Sequence, residues 1–168
     1  MWEYVATHLA SEGIETILVG GAVVAIYTDG LYRSGDLDFV LRSMLSKQLP
    51  EAMKKIGFVC DRSRHYRHPD CDHLIIDFAS PPASIGDDYK IVPDSKKIDG
   101  KLIYIYSPMD CVRDRLASYI HFHARECLDQ AALVAQKFPV DLKKIKSWCE
   151  TEGGEEEFED FKRKLIVK

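Results

Sequence analysis

Ile17-Leu-Val-Gly-Gly-Ala-Val-Val-Ala-Ile26 is apolar from end to end, and its only interruption is a glycine pair. Ile17-Leu-Val19 is rich in β-forming residues, and Ala22 to Tyr27 continues as a buried helix ended by Asp29-Gly30. A strand that enters a helix through Gly20-Gly21 must turn tightly there. Ser34-Gly-Asp-Leu-Asp-Phe-Val-Leu41 follows, and Asp36 to Leu41 alternates as a strand does. Strand, glycine turn, helix and acid-bearing strand thus arrive within one short stretch. That order supplies a turn able to cradle a phosphate and a pair of carboxylates able to clamp a divalent metal.

At 168 residues the chain is long enough for one well-buried core. With 46% hydrophobic and 30% charged residues it has the composition of an ordinary globule. A net charge of −4 argues against coating nucleic acid by bulk electrostatics, while leaving room for a local basic groove. No apolar run approaches the ~20 residues of a membrane span, so no membrane association is expected. Met1-Trp-Glu-Tyr-Val has neither a basic nor an apolar leader region. The five cysteines are scattered without a Cys-x-x-Cys pair, and a reduced, cytoplasmic setting is the simplest reading.

Met1 to Ser11 reads as a helix closed by Gly13, and Glu15 to Val19 as a strand. Ser46 to Ile56 reads as a helix stopped by Gly57. Short strands are expected at Phe58 to Cys60 and Arg64 to His68, then a longer one at His73 to Phe78. Lys90 to Ile98 is ambiguous, and Lys101 to Tyr106 alternates as a strand. At Ser107-Pro108 the character changes, with a good N-cap followed by proline at the first helical position. Helices are expected at 109–122, 125–137, 141–150 and 155–165. The predicted organisation is an α/β part, 1–106, followed by a helical segment, 107–168.

The chemistry centres on Asp36 and Asp38. Residues i and i+2 of a strand share a face, about 7 Å apart along the chain. Two carboxylates so placed can converge on magnesium, which takes oxygen ligands and accepts substrate phosphates for the remainder. Taken alone, Asp-x-Asp also fits a strand with one solvated face. Gly20-Gly21 adds a turn where the backbone can approach a phosphate closely. Asp77 lies within Leu74-Ile-Ile-Asp-Phe78, otherwise apolar, where a charge is costly unless paired or bound to a metal. Three carboxylates beside a glycine turn suit metal-assisted phosphoryl or nucleotidyl transfer.

Leu18-Val-Gly-Gly-Ala22 with Tyr32-Arg-Ser-Gly-Asp-Leu-Asp-Phe39 resembles the minimal nucleotidyltransferase fold of the DNA polymerase β superfamily. It is especially similar to the AbiEii-like, toxin-type and uncharacterised bacterial nucleotidyltransferases. The resemblance covers residues 14–78 most clearly, with the Gly21 to Asp36 spacing at the long end of the pattern. It implies an α+β fold, with a mixed β-sheet flanked by helices and a C-terminal helical segment. It implies that Gly20 and Gly21, with Ser34 nearby, bind the triphosphate of an NTP. It further implies that Asp36, Asp38 and Asp77 bind two magnesium ions and carry catalysis. The AbiEii-like group also has a Lys-Leu helical segment followed by an Arg…Asp helix. Asp110-Cys-Val-Arg-Asp-Arg115-Leu and Arg125-Glu-Cys-Leu-Asp129-Gln are similar, with Arg115 standing where that family has lysine. Arg113, Arg115 and Arg125 are therefore candidates for the nucleotide phosphates, or else the solvated face of an amphipathic helix.

His65-Tyr-Arg-His-Pro-Asp-Cys-Asp-His73 fits no zinc spacing, and a structural or substrate-lining role is expected. Arg62, Arg64 and Arg67 near Tyr66 either line the path of an acceptor or belong to an ordinary exposed hairpin. The leading expectation is a magnesium-dependent enzyme moving an NMP from an NTP to a hydroxyl of RNA, protein or a small molecule. The alternative is a non-transferring nucleotide-binding protein of the same fold, or one half of a toxin–antitoxin pair. A nuclease would leave the Gly-Gly turn without a role.

Overall fold

The structure, a computed structural model, describes residues 1–44, 47–61 and 65–166. Helix α1 (Trp2–Ser11) buries Val5, Ala6 and Leu9 against the sheet. Strand β1 (Thr16–Val19) passes directly into α2 (Gly21–Tyr27), and β2 (Asp36–Leu41) covers the stretch that the alternation predicts. Helix α3 (Leu49–Lys55) starts later than expected, and Ser46 lies outside the described residues. Pro50 sets that start, because proline fits a helix only in its first turn. β3 (Val59–Cys60) and β4 (Tyr66–Arg67) are two-residue strands, shorter than predicted. β5 (Ile75–Ala79), β6 (Asp94–Ile98) and β7 (Lys101–Ile105) complete the sheet.

The sheet has seven strands in the order β3-β4-β5-β2-β1-β7-β6 and is mixed, confirming the expected α+β class. β1 runs antiparallel to β2, with Val19 opposite Asp38. β2 runs parallel to β5, with Asp38 opposite Asp77. The end of β1, the start of β2 and the middle of β5 therefore meet at one place. Leu37, Phe39 and Leu41 are buried behind the acids, as the alternation requires.

Helices α4 (Pro108–Phe122), α5 (Arg125–Lys137), α6 (Leu142–Thr151) and α7 (Glu155–Ile166) follow. Ser107 caps α4: its Oγ accepts the Asp110 N–H at 3.1 Å and donates to the Asp110 carboxylate at 2.7 Å. One buried cluster runs from Val5 and Leu9 of α1 through Phe39 and Ile76 of the sheet to Leu116, Ile145 and Phe161. Each large side chain so buried contributes roughly 1.5–3 kcal/mol. No helix among the described residues is long and apolar enough to cross a membrane.

Candidate active site

Gly20 makes the turn between β1 and α2 at φ 74°, ψ −156°. That region is open essentially to glycine alone. A Cβ there would lie 2.5 Å from Asp38 Oδ2, so the turn and the acid are in direct apposition. A Cβ on Gly21 would meet Ser34 Oγ at 3.1 Å and the Tyr32 hydroxyl at 3.3 Å. Ser34 is tied in turn to the start of β2, its Oγ donating to the Asp36 carbonyl at 3.0 Å. Gly20, Gly21, Ser34, Asp36 and Asp38 thus form one continuous patch, as the sequence motif suggests.

The parallel register brings Asp77 to the same patch. Asp36 is exposed, while Asp38 and Asp77 are half-buried. Burial pushes the Asp38 carboxyl above the usual carboxylate range, and the charges of Asp36 and Asp77 push it the same way. Arg115 opposes that shift, and Asp114 adds to it. Helix α4 therefore brings one anionic and one cationic side chain into the field of Asp38. Asp114 is a member of this environment that the sequence motif does not single out. Its signal was its place beside Arg115, whose Nε and Nη2 donate to it at 3.1 and 2.7 Å. Arg115 Nη1 also donates to Gln130 Oε1 at 3.4 Å.

The other two arginines lie elsewhere. Arg113 stands two residues before Arg115, about 200° round the helix. It is nearly buried, donates to Asp88 and Asp110, and lies over the Trp148 ring, 5.1 Å from its centroid. Those partners make Arg113 a brace between the 85–90 loop, α4 and α6. Arg125 is two residues before Cys127, which lies 3.8 Å from Arg115. The same rotation turns Arg125 away, into a depression that it lines with Tyr119, Leu128, Asp129, Asp160 and Lys164. The acid patch and Arg125 are not brought together.

Among the described residues, the histidine-rich stretch forms no group of three side chains that could hold a metal. His68 Nδ1 accepts the Asp70 N–H at 3.1 Å in a 3-10 turn, and His73 is exposed. Arg62 and Arg64 lie outside the described residues, and Arg67 pairs with Asp61 at 3.2 Å.

No family model and no curated protein matches the chain. Among solved structures, it is similar to an antigenic nucleotidyltransferase-like protein from Paracoccidioides brasiliensis. The TM-score is 0.61 at 16% identity, over 98% of this chain and 90% of that one. It is also similar to the antibiotic-resistance factor ANT(2'')-Ia, with a TM-score of 0.51 at 12% identity, over 95% of this chain and 86% of that one. The fold is nucleotidyltransferase-like across nearly the whole chain, well beyond the 14–78 stretch where the sequence resemblance is clearest.

Proposed function

We propose that the chain is a magnesium-dependent nucleotidyltransferase, moving an NMP from an NTP to a hydroxyl acceptor. The observation that carries this reading is the register that sets Asp38 opposite Asp77 with Gly20 packed against the Asp38 carboxylate.

Among the described residues, no three His, Cys, Asp or Glu side chains form a ready-made metal cage. Magnesium does not require one, since it binds one or two carboxylates and completes its octahedron with water and substrate phosphates. The donor set fits in charge as well. Burial, and then the charges of Asp36 and Asp77, disfavour Asp38 as an anion, a penalty that a bound cation would relieve. Asp36 and Asp38 would hold two ions, with Asp77 completing the catalytic one. Bound there, magnesium would neutralise charge developing on the phosphates.

The chain's own groups do the rest. The Gly20-Gly21 turn, having no side chains, leaves room for the triphosphate against the end of the sheet. Ser34 borders that turn, and Arg115 adds positive charge from α4. Asp77 takes the proton of the acceptor hydroxyl. The acceptor oxygen then bonds to the α-phosphorus, the bond from that phosphorus to the bridging oxygen breaks, and pyrophosphate leaves.

Incubation with each α-labelled NTP, total RNA and cell lysate tests the reading and identifies the acceptor. Metal-dependent labelling of one acceptor class, lost in Asp38→Ala, is expected. Nucleotide binding without labelling would favour the non-transferring alternative, and neither binding nor labelling would refute the assignment.

A further inference from the structure

The row of acids does not end at Asp77. β4 runs antiparallel to β5 with Tyr66 opposite Ile76, so the next residue pair in register is His65 and Asp77. Tyr66 and Ile76 are both buried on one face, which puts His65 and Asp77 together on the other. The side chains meet: His65 Nε2 lies 3.5 Å from Asp77 Oδ2. From the residue just before β4 across β5, β2 and β1, the sequence of neighbours is His65, Asp77, Asp38 and Val19, with Gly20 next along the chain.

The backbone of His65 is fixed through Asp61. Its own N–H donates to Asp61 Oδ1 at 3.0 Å, and its carbonyl accepts the Asp61 N–H at 2.8 Å. Asp61 Oδ2 in turn accepts from Arg67 Nε at 3.2 Å. The His65 backbone is thus held to Asp61, and Asp61 to Arg67 of β4, beside Asp77.

We propose that His65 is a positioning residue for Asp77, its ring N–H fixing the orientation of that carboxylate. The proposal rests on reading Asp77 as a metal-binding acid. A ligating carboxylate with a hydrogen-bond donor behind it offers its free oxygen in one direction, and loss of such a partner weakens metal binding. The separation of 3.5 Å is long for a hydrogen bond, as contacts at catalytic groups commonly are before substrate is in place.

The test uses Mn2+ as the probe, with affinity read by calorimetry and by electron paramagnetic resonance in the presence of NTP. His65→Ala should weaken Mn2+ binding roughly 10- to 100-fold. His65→Gln keeps an N–H donor at similar reach and should recover most of that loss, a rescue that a purely structural role would not produce. Both variants should melt like the wild type in chelator. Wild-type Mn2+ affinity in His65→Ala, or His65→Gln as impaired as His65→Ala, would overturn the proposal while leaving the nucleotidyltransferase reading intact. A wild-type protein with no metal-linked nucleotide binding would overturn both.

Discussion

Gly20→Ala adds one methyl group at a point where two constraints coincide. The first is backbone: φ 74°, ψ −156° is closed to residues with a Cβ, at a cost of order 1–3 kcal/mol. A chain of this size loses about 2–4 °C of Tm per kcal/mol, so melting should fall by roughly 2–12 °C. The second is the site. The new Cβ would lie 2.5 Å from Asp38 Oδ2, where ordinary contact begins at 3.4 Å. The carboxylate must therefore retreat by about 1 Å. A displacement of that size in a catalytic group costs on the order of 100-fold in rate. Gly30→Ala is the matched control. Gly30 also has a positive φ, 78°, but a Cβ there meets nothing within 4 Å. Melting curves and label transfer from α-labelled NTP measure the two effects separately. Gly20→Ala should lose both stability and transfer, and Gly30→Ala stability alone. Wild-type transfer by Gly20→Ala, or equal loss in both variants, would refute the reasoning.

Asp38→Asn tests the electrostatics from the other side. Burial and two neighbouring acids raise the Asp38 carboxyl, so the folded protein loses stability as pH rises from the ordinary carboxylate range through the elevated value. In chelator at neutral pH, Asp38→Asn should melt above the wild type, and the gap should close as the pH is lowered to where both states hold the proton. Melting curves across that range check the sign. The arginines of α4 should behave differently from one another. Arg113→Met should lower Tm with Mg2+·NTP affinity preserved, because its partners are Asp88, Asp110 and Trp148. Arg115→Met should weaken that affinity roughly 10- to 100-fold, the loss of about 1.5–3 kcal/mol expected of a charged hydrogen bond. Calorimetry on the two variants distinguishes these outcomes.

Local chemistry explains what was legible in the sequence. Asp36 to Leu41 alternates cleanly, and the strand occupies those residues. Ser107-Pro108 marks the start of α4 because the cap hydroxyl and the missing proline N–H both suit a first turn. The two-residue β3 and β4 are too short to carry a period, and their pairing is decided by the sheet. Lys90 to Ile98 is ambiguous in sequence for a related reason: only Asp94–Ile98 pairs, and it does so as a charged edge strand.

Within the site, Gly20, Gly21 and the two acids of β2 are near in sequence and were legible as a motif. That Asp77 faces Asp38 is a matter of long-range register, which no local pattern encodes. The arginines show the same limit on helices. Arg113, Arg115 and Arg125 look alike in sequence, yet Arg115 acts on Asp38 while Arg113 pairs with Asp88 and Asp110 and Arg125 lines a separate depression. Asp114 and His65 enter the site environment through packing and strand register in the same way.

The central claim, that the three acids and the glycine turn bind a nucleotide through magnesium, is tested most directly by calorimetric titration. ATP or CTP is titrated with magnesium into the wild type and into the Asp36→Ala/Asp38→Ala variant, with chelator as the metal-free control. Saturable binding by the wild type, lost in the variant and in chelator, is the predicted result. A wild type that binds neither nucleotide, or binds equally well without metal or without the two acids, would contradict it.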